Sequence, residues 1–79
     1  MRDIRSEIIQ MIQEECVVTV PKDKYFNLYS DLEFDSLSFA ALLIKIEQRY
    51  DIIFEISDIE NCAEVDKLIT TVEVKLGGE

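Results

Sequence analysis

The sequence contains no histidine and no tryptophan, and only one proline and two glycines among 79 residues. Without an imidazole, Ser–His and Cys–His catalysis is excluded, and so is any zinc site that needs histidine. No other catalytic constellation takes their place, so the chain reads as a non-enzyme whose partners supply the chemistry. The scarcity of Gly and Pro argues against a many-stranded β fold, which needs frequent turn signals. It suits a few helices joined by short polar links. Two cysteines, Cys16 and Cys62, sit among apolar neighbours. They read as reduced, buried thiols and not as a disulfide framework or a metal site, which places the chain in the cytoplasm or an equivalent reducing space.

Basic residues are also few, 8 against 17 acidic ones, for a net charge of −9. Such a surface repels the phosphates of nucleic acid and of anionic lipid, but it can meet basic patches on other proteins. No apolar run is long enough to span a bilayer, and the N-terminus lacks the apolar core of a signal peptide. The expectation is a single domain over residues 1–79, monomeric, with no nucleic acid and no membrane insertion.

Against this background, 48% hydrophobic residues are enough for one modest core. Ile4, Ile8, Met11, Ile12 and Cys16 recur at helical spacing and predict a first helix over Asp3 to Cys16. The β-branched run Val17-Val18-Thr19-Val20, followed by Pro21, ends it. From Pro21 to Asp35 there is no clean period, and a long ordered loop is expected, pinned by Tyr25, Phe26, Leu28, Tyr29, Leu32 and Phe34. A loop of this length in a small domain is more often functional than idle. A second helix runs from Ser36 to about Tyr50, with Leu37, Ala40, Leu43, Ile46 and Tyr50 as its core stripe and Lys45, Gln48 and Arg49 exposed. Phe39, Leu42 and Ile44 widen the apolar face beyond what one buried side needs. Ser57-Asp58-Ile59-Glu60 matches a capping box for a short third helix, and Asn61-Cys62-Ala63-Glu64 a second capping pattern. Val65, Leu68, Ile69, Val72 and Leu76 carry the last helix to the Gly77-Gly78 stop. The fold class is therefore all-α, a four-helix bundle with a long first loop and a short third helix.

The segment Asp31-Leu32-Glu33-Phe34-Asp35-Ser36-Leu37 opens the second helix. Its Asp35-Ser36-Leu37 resembles the attachment site of acyl and peptidyl carrier proteins. The resemblance extends to Asp31-Leu32 upstream, to Leu37, Ile46, Glu47 and Tyr50 along the helix, and to the loop from Asp51 to Asp58. It covers roughly residues 26 to 72. It implies a non-catalytic carrier that holds acyl intermediates as thioesters on a 4'-phosphopantetheine arm. The arm would be attached to Ser36, with Asp35 and Leu37 beside it. The implied partners are a phosphopantetheinyl transferase and acyl or aminoacyl ligases or synthases with basic docking patches. Ser38 and Ser30 are rival hydroxyls. Asp-Ser before an apolar helix is also an ordinary N-cap, and Ser36 can serve both roles.

Two departures from the family pattern stand out. A glycine usual in fatty-acid carriers is replaced by Glu33, so the loop before Ser36 is expected to differ; Phe34 after it could pack over the helix start or meet a partner. The usual acidic stripe of the second helix is missing, since residues 36–50 carry Lys45, Glu47 and Arg49, a net of +1. Acidity lies instead in Asp31, Glu33 and Asp35, and in Asp51, Glu55, Asp58 and Glu60. The expected partner-facing residues are Glu33, Phe34, Ile44, Glu47, Asp58 and Glu60. This pattern favours a dedicated pathway, such as polyketide, nonribosomal peptide or amino-acid transfer, over general fatty-acid biosynthesis. The alternative is a non-covalent acidic helical interaction module. A calcium loop over Asp51 to Glu60 fails for want of regular oxygen ligands and a central glycine.

Overall fold

The computed structural model describes residues 3–16, 19–21 and 25–77. Four helices account for its regular structure: α1 (Ile4–Glu15), α2 (Ser36–Tyr50), α3 (Ile56–Asn61) and α4 (Val65–Gly77). Helix α1 packs against α2 and α4, and α3 packs against α4. Val17 and Val18 of the β-branched run, and Gly78 of the C-terminal stop, lie outside the described residues.

The starts of α1 and α2 each follow from a local aspartate. Asp3 caps α1, accepting from the Ser6 amide at 3.2 Å and from the Ser6 hydroxyl at 2.8 Å. The buried side of α1 is Ile8, Ile9, Met11 and Ile12. Asp35 caps α2 by accepting from the Ser38 amide at 2.8 Å. That helix ends at Asp51, whose left-handed backbone (φ 57°) an aspartate tolerates better than most residues.

The buried stripe of α2 is Phe39, Leu42, Leu43, Ile46 and Tyr50. The expected stripe shares its last three members but not its first two. Leu37 is 80% exposed and Ala40 is also exposed. The core is met by Phe39 and Leu42, so the face is rotated by part of a turn at the N-terminal end. The cause is the long loop. Phe26, Leu28, Leu32 and Phe34 all enter the core from it. Tyr29 sets its ring against Phe39, with centroids 5.3 Å apart.

That loop is tied down by backbone pairing. Asn27 and Glu64 form an isolated antiparallel bridge, with Leu28 N–H donating to Ala63 C=O at 2.7 Å and Val65 N–H to Phe26 C=O at 3.0 Å. The Asn27 carboxamide oxygen accepts from the amides of Tyr29 and Ser30, an Asx turn that starts one helical turn.

The caps of α3 and α4 differ from the expected ones. Helix α3 begins two residues earlier than expected, with Glu55 as N-cap and its amide donating to Asp58 Oδ2 at 2.9 Å, so Ser57 lies inside the helix. Asn61 is the last residue of α3, and its side-chain amide donates to the Ser57 carbonyl at 3.2 Å; it does not cap α4. Val65, Leu68, Ile69 and Val72 are buried as their spacing predicts, while Leu76 in the last turn of α4 is exposed. Cys62 is buried and Cys16 partly so, and the two are not joined in a disulfide.

Candidate functional site at the start of helix two

Helix α2 places Ser36 at its first position, exposed, directly after its Asp35 cap. The Asp35 carboxylate is held below its usual range chiefly by the Ser38 amide it accepts from, with the Ser38 hydroxyl next. Asp35 therefore stays ionised and fixed while the hydroxyl one residue later points to solvent. Ser38 is half-buried and bound up in that cap, which makes it a poorer target for an incoming enzyme. Ser30 is exposed, but it sits in the turn organised by Asn27, not on a regular element.

The residue that departs from the family pattern keeps the backbone shape a glycine would give. Glu33 has φ 60°, in the left-handed region. Its amide donates to Tyr29 C=O at 3.1 Å, and the next amide, of Phe34, reaches back to Leu28 C=O at 3.0 Å. The reversal ends the loop's helical turn and delivers Asp35 to the cap position. The loop thus reverses through a left-handed backbone at a non-glycine residue, at the cost of strain. Glu33→Gly should stabilise the domain by about 0.5–1 kcal/mol, because relief of the strain exceeds the extra chain entropy glycine adds to the unfolded state. Glu33→Ala should give no such gain. Urea midpoints of the two variants measure this; equal midpoints would mean that the position carries no strain.

The expected partner-facing residues divide in two. Glu33, Ile44 and Glu60 are exposed. Three others are engaged within the fold. Phe34 is only 6% exposed and belongs to the core. Glu47 accepts from the Phe54 amide at 2.9 Å and pins the loop after α2. Asp58 accepts from the Glu55 amide and pairs with Lys75 at 2.9 Å.

The charge of α2 is likewise largely settled internally. Lys45 bridges Glu14 at 3.1 Å and Glu15 at 3.0 Å, both on α1, and is half-buried where full exposure was expected. Arg49 lies 3.7 Å from Glu7, whose carboxylate also accepts from the Tyr50 hydroxyl. What α2 turns outward beside Ser36 is an uncharged ridge of Leu37, Ile44 and Gln48, at spacings of seven and four. No spacing rule could reveal that α1 supplies the counter-charges; they lie some thirty residues away in the chain.

Among the described residues, no helix is long and apolar enough to cross a membrane, and no group of three or more His, Cys, Asp or Glu side chains could hold a metal ion. An exposed hydroxyl on the first turn of a rigid helix, at the positive end of its dipole, fits a covalently attached phosphate ester. No curated protein matches the sequence. The model of the phosphopantetheine attachment site matches residues 6–72, which takes in α1, the loop, α2, α3 and most of α4. With that span of a 79-residue chain, the protein belongs to the phosphopantetheine-binding carrier family, whose members are non-catalytic carriers of a covalent 4'-phosphopantetheine arm.

Proposed function

We infer that Ser36 carries the arm and that the protein serves a dedicated acyl- or aminoacyl-transfer pathway and not general fatty-acid synthesis. The observation that carries the first half is positional. Ser36 combines exposure, a helix start and the Asp35-Ser36-Leu37 motif within the matched span. Asp35 fixes the helix end, and the rigid first turn gives the arm a defined direction of exit. Base and metal for the attachment come from the transferase, so the chain needs neither. When bound, the arm supplies the thiol on which cargo rides; the protein holds and presents it.

The second half rests on the surface beside the serine. A partner that reads this carrier meets the uncharged ridge of Leu37, Ile44 and Gln48, with the exposed acid Glu33 just before the serine. Phosphopantetheinyl transferases and cargo-loading enzymes that dock here would offer an apolar contact with a basic rim near Glu33 and Glu60. The test of the carrier reading is intact mass. Incubated with coenzyme A, magnesium and a broad-specificity transferase, the protein should gain one phosphopantetheine. A chain that stays at its starting mass under these conditions would instead be a non-covalent interaction module.

Docking gives a separate expectation. Ile44→Ala should weaken binding to the transferase by about 1 kcal/mol with little salt dependence, because the loss is apolar burial. Glu33→Lys with Glu60→Lys should slow association at low salt, with the difference shrinking as salt rises. Association rates measured across a salt series separate the two, and wild-type rates for both variants at every salt concentration would show that partners read only the immediate surroundings of Ser36.

A further inference from the structure

The loop leaves an aromatic ring at the surface near the start of α2. Tyr29 is 41% exposed, and its ring meets Phe39 with centroids 5.3 Å apart and planes inclined at 52°. Phe39 is buried, so Tyr29 is the outer half of the pair. Among the described residues no hydrogen bond ties the Tyr29 hydroxyl down. Two contacts fix where this ring stands relative to Ser36. The Tyr29 carbonyl accepts from the Glu33 amide at 3.1 Å, and the Tyr29 ring touches Phe39. Ser36 lies between positions 33 and 39 in the chain. It is three residues from Phe39 on one side of α2, a spacing that sets Cβ atoms about 5–6 Å apart. Aromatic side chains on a helix lean back over the preceding turn, so the Phe39 ring, with Tyr29 against it, lies toward Ser36. The ridge of Leu37, Ile44 and Gln48 faces roughly the opposite side of α2 from Phe39.

We propose that Tyr29 is a docking platform for the arm on Ser36, its ring taking the geminal methyls of the pantoyl unit and its hydroxyl donating to an oxygen of that unit. This rests on Ser36 as the attachment point. The pantoyl unit is the first apolar part of the arm after the phosphate, so it is the part that passes closest to a ring beside the attachment. It joins two methyls to a hydroxyl and an amide carbonyl. A tyrosine matches that mixture, with an apolar body and a polar tip. The tether makes a weak contact sufficient, because a short flexible link holds its end at an effective concentration on the order of millimolar. An arm docked there leans to the loop side of α2 and leaves the ridge of Leu37, Ile44 and Gln48 clear for a partner.

The test uses isotope-labelled protein carrying an unlabelled arm from coenzyme A. Intact mass of wild type and Ser36→Ala reports attachment, and proton NMR of the arm's geminal methyls reports docking, so the two readings fail separately. In the wild-type holo-protein the methyl signals should move upfield of their positions in free coenzyme A, through the ring current. They should also show nuclear Overhauser contacts to the Tyr29 ring protons. Tyr29→Leu should return the signals most of the way to the coenzyme A positions. Tyr29→Phe keeps the ring and loses the donor, and should shrink the shift without abolishing it. Tyr25→Leu changes a tyrosine of the same loop that is 77% exposed, and should leave the shift unchanged. Amide spectra of the variants before attachment confirm that each is folded, and the wild-type measurement needs no variant. Methyls that stay at the coenzyme A positions in wild type, a shift that survives Tyr29→Leu or is unaltered in Tyr29→Phe, or one that is lost in Tyr25→Leu would overturn the platform and leave Ser36 in place. An arm that fails to attach, or that attaches equally to Ser36→Ala, would overturn both.

Discussion

Ser36→Ala incubated with coenzyme A, magnesium and a broad-specificity transferase should remain at its unmodified mass, while Ser38→Ala and Ser30→Ala gain one phosphopantetheine. The effect is all-or-none because the arm needs one particular oxygen. Ser36 is exposed at the first position of α2, and among the described residues no hydrogen bond ties its hydroxyl down. Ser38 is half-buried within the Asp35 cap, and Ser30 is on a turn. The helix should be indifferent to the loss. Asp35, and not Ser36, accepts from the Ser38 amide, so the cap is intact in Ser36→Ala and alanine is a good helix former. Far-UV circular dichroism and the urea midpoint should therefore match wild type. Asp35→Ala makes the converse case. It removes the cap, at a cost of about 1 kcal/mol, yet leaves the hydroxyl in place. A Ser36→Ala protein that still gains mass would move the attachment to Ser38 or Ser30.

The extent of α2 was legible because its two ends are written locally: Asp35-Ser36 opens it and the polar Asp51 follows Tyr50. Its orientation was not. Residues 37, 40, 43, 46 and 50 and residues 39, 42, 43, 46 and 50 both satisfy helical spacing, and in a helix this rich in apolar residues periodicity cannot choose between them. The choice is made by a distant segment, since the loop ring of Tyr29 takes Phe39. Leu37, beside the candidate serine, is left outside. The same limit applies to charge. Lys45 looked like a free cation of the docking helix until α1 supplied Glu14 and Glu15.

Caps failed for a different reason. Glu55-Ile56-Ser57-Asp58 and Ser57-Asp58-Ile59-Glu60 both resemble a box, and the register is set by Phe54, which is buried and pinned by Glu47. At position 33 the residue type alone hides the backbone shape: the hydrogen bonds of Glu33 and Phe34 back to the preceding turn go with a left-handed conformation that a glutamate does not announce. In each case the local signal was real, and a contact made across the chain decided which version of it the fold uses.

Ile46→Ala should cost about 2–4 kcal/mol of folding stability, a large share of what a domain of this size possesses. Ile46 is fully buried at the middle of α2, in the same core as Ile8 and Ile12 of α1, Leu28 of the loop, and Leu68 and Val72 of α4. Removing its three outer carbons leaves a cavity lined by side chains from several elements, none of which can move in alone without giving up its own packing. Alanine gains a little helix propensity in return, too little to offset the cavity. Leu37→Ala on the same helix is the matched control. Its side chain is 80% exposed, so the same kind of truncation buries nothing less and should change stability by under about 0.5 kcal/mol. Chemical denaturation of the two variants tests the orientation of α2 directly. A midpoint close to wild type for Ile46→Ala, or a large loss for Leu37→Ala, would mean that the helix turns a different face to the core; Leu37 would then be no part of the ridge that partners meet beside Ser36.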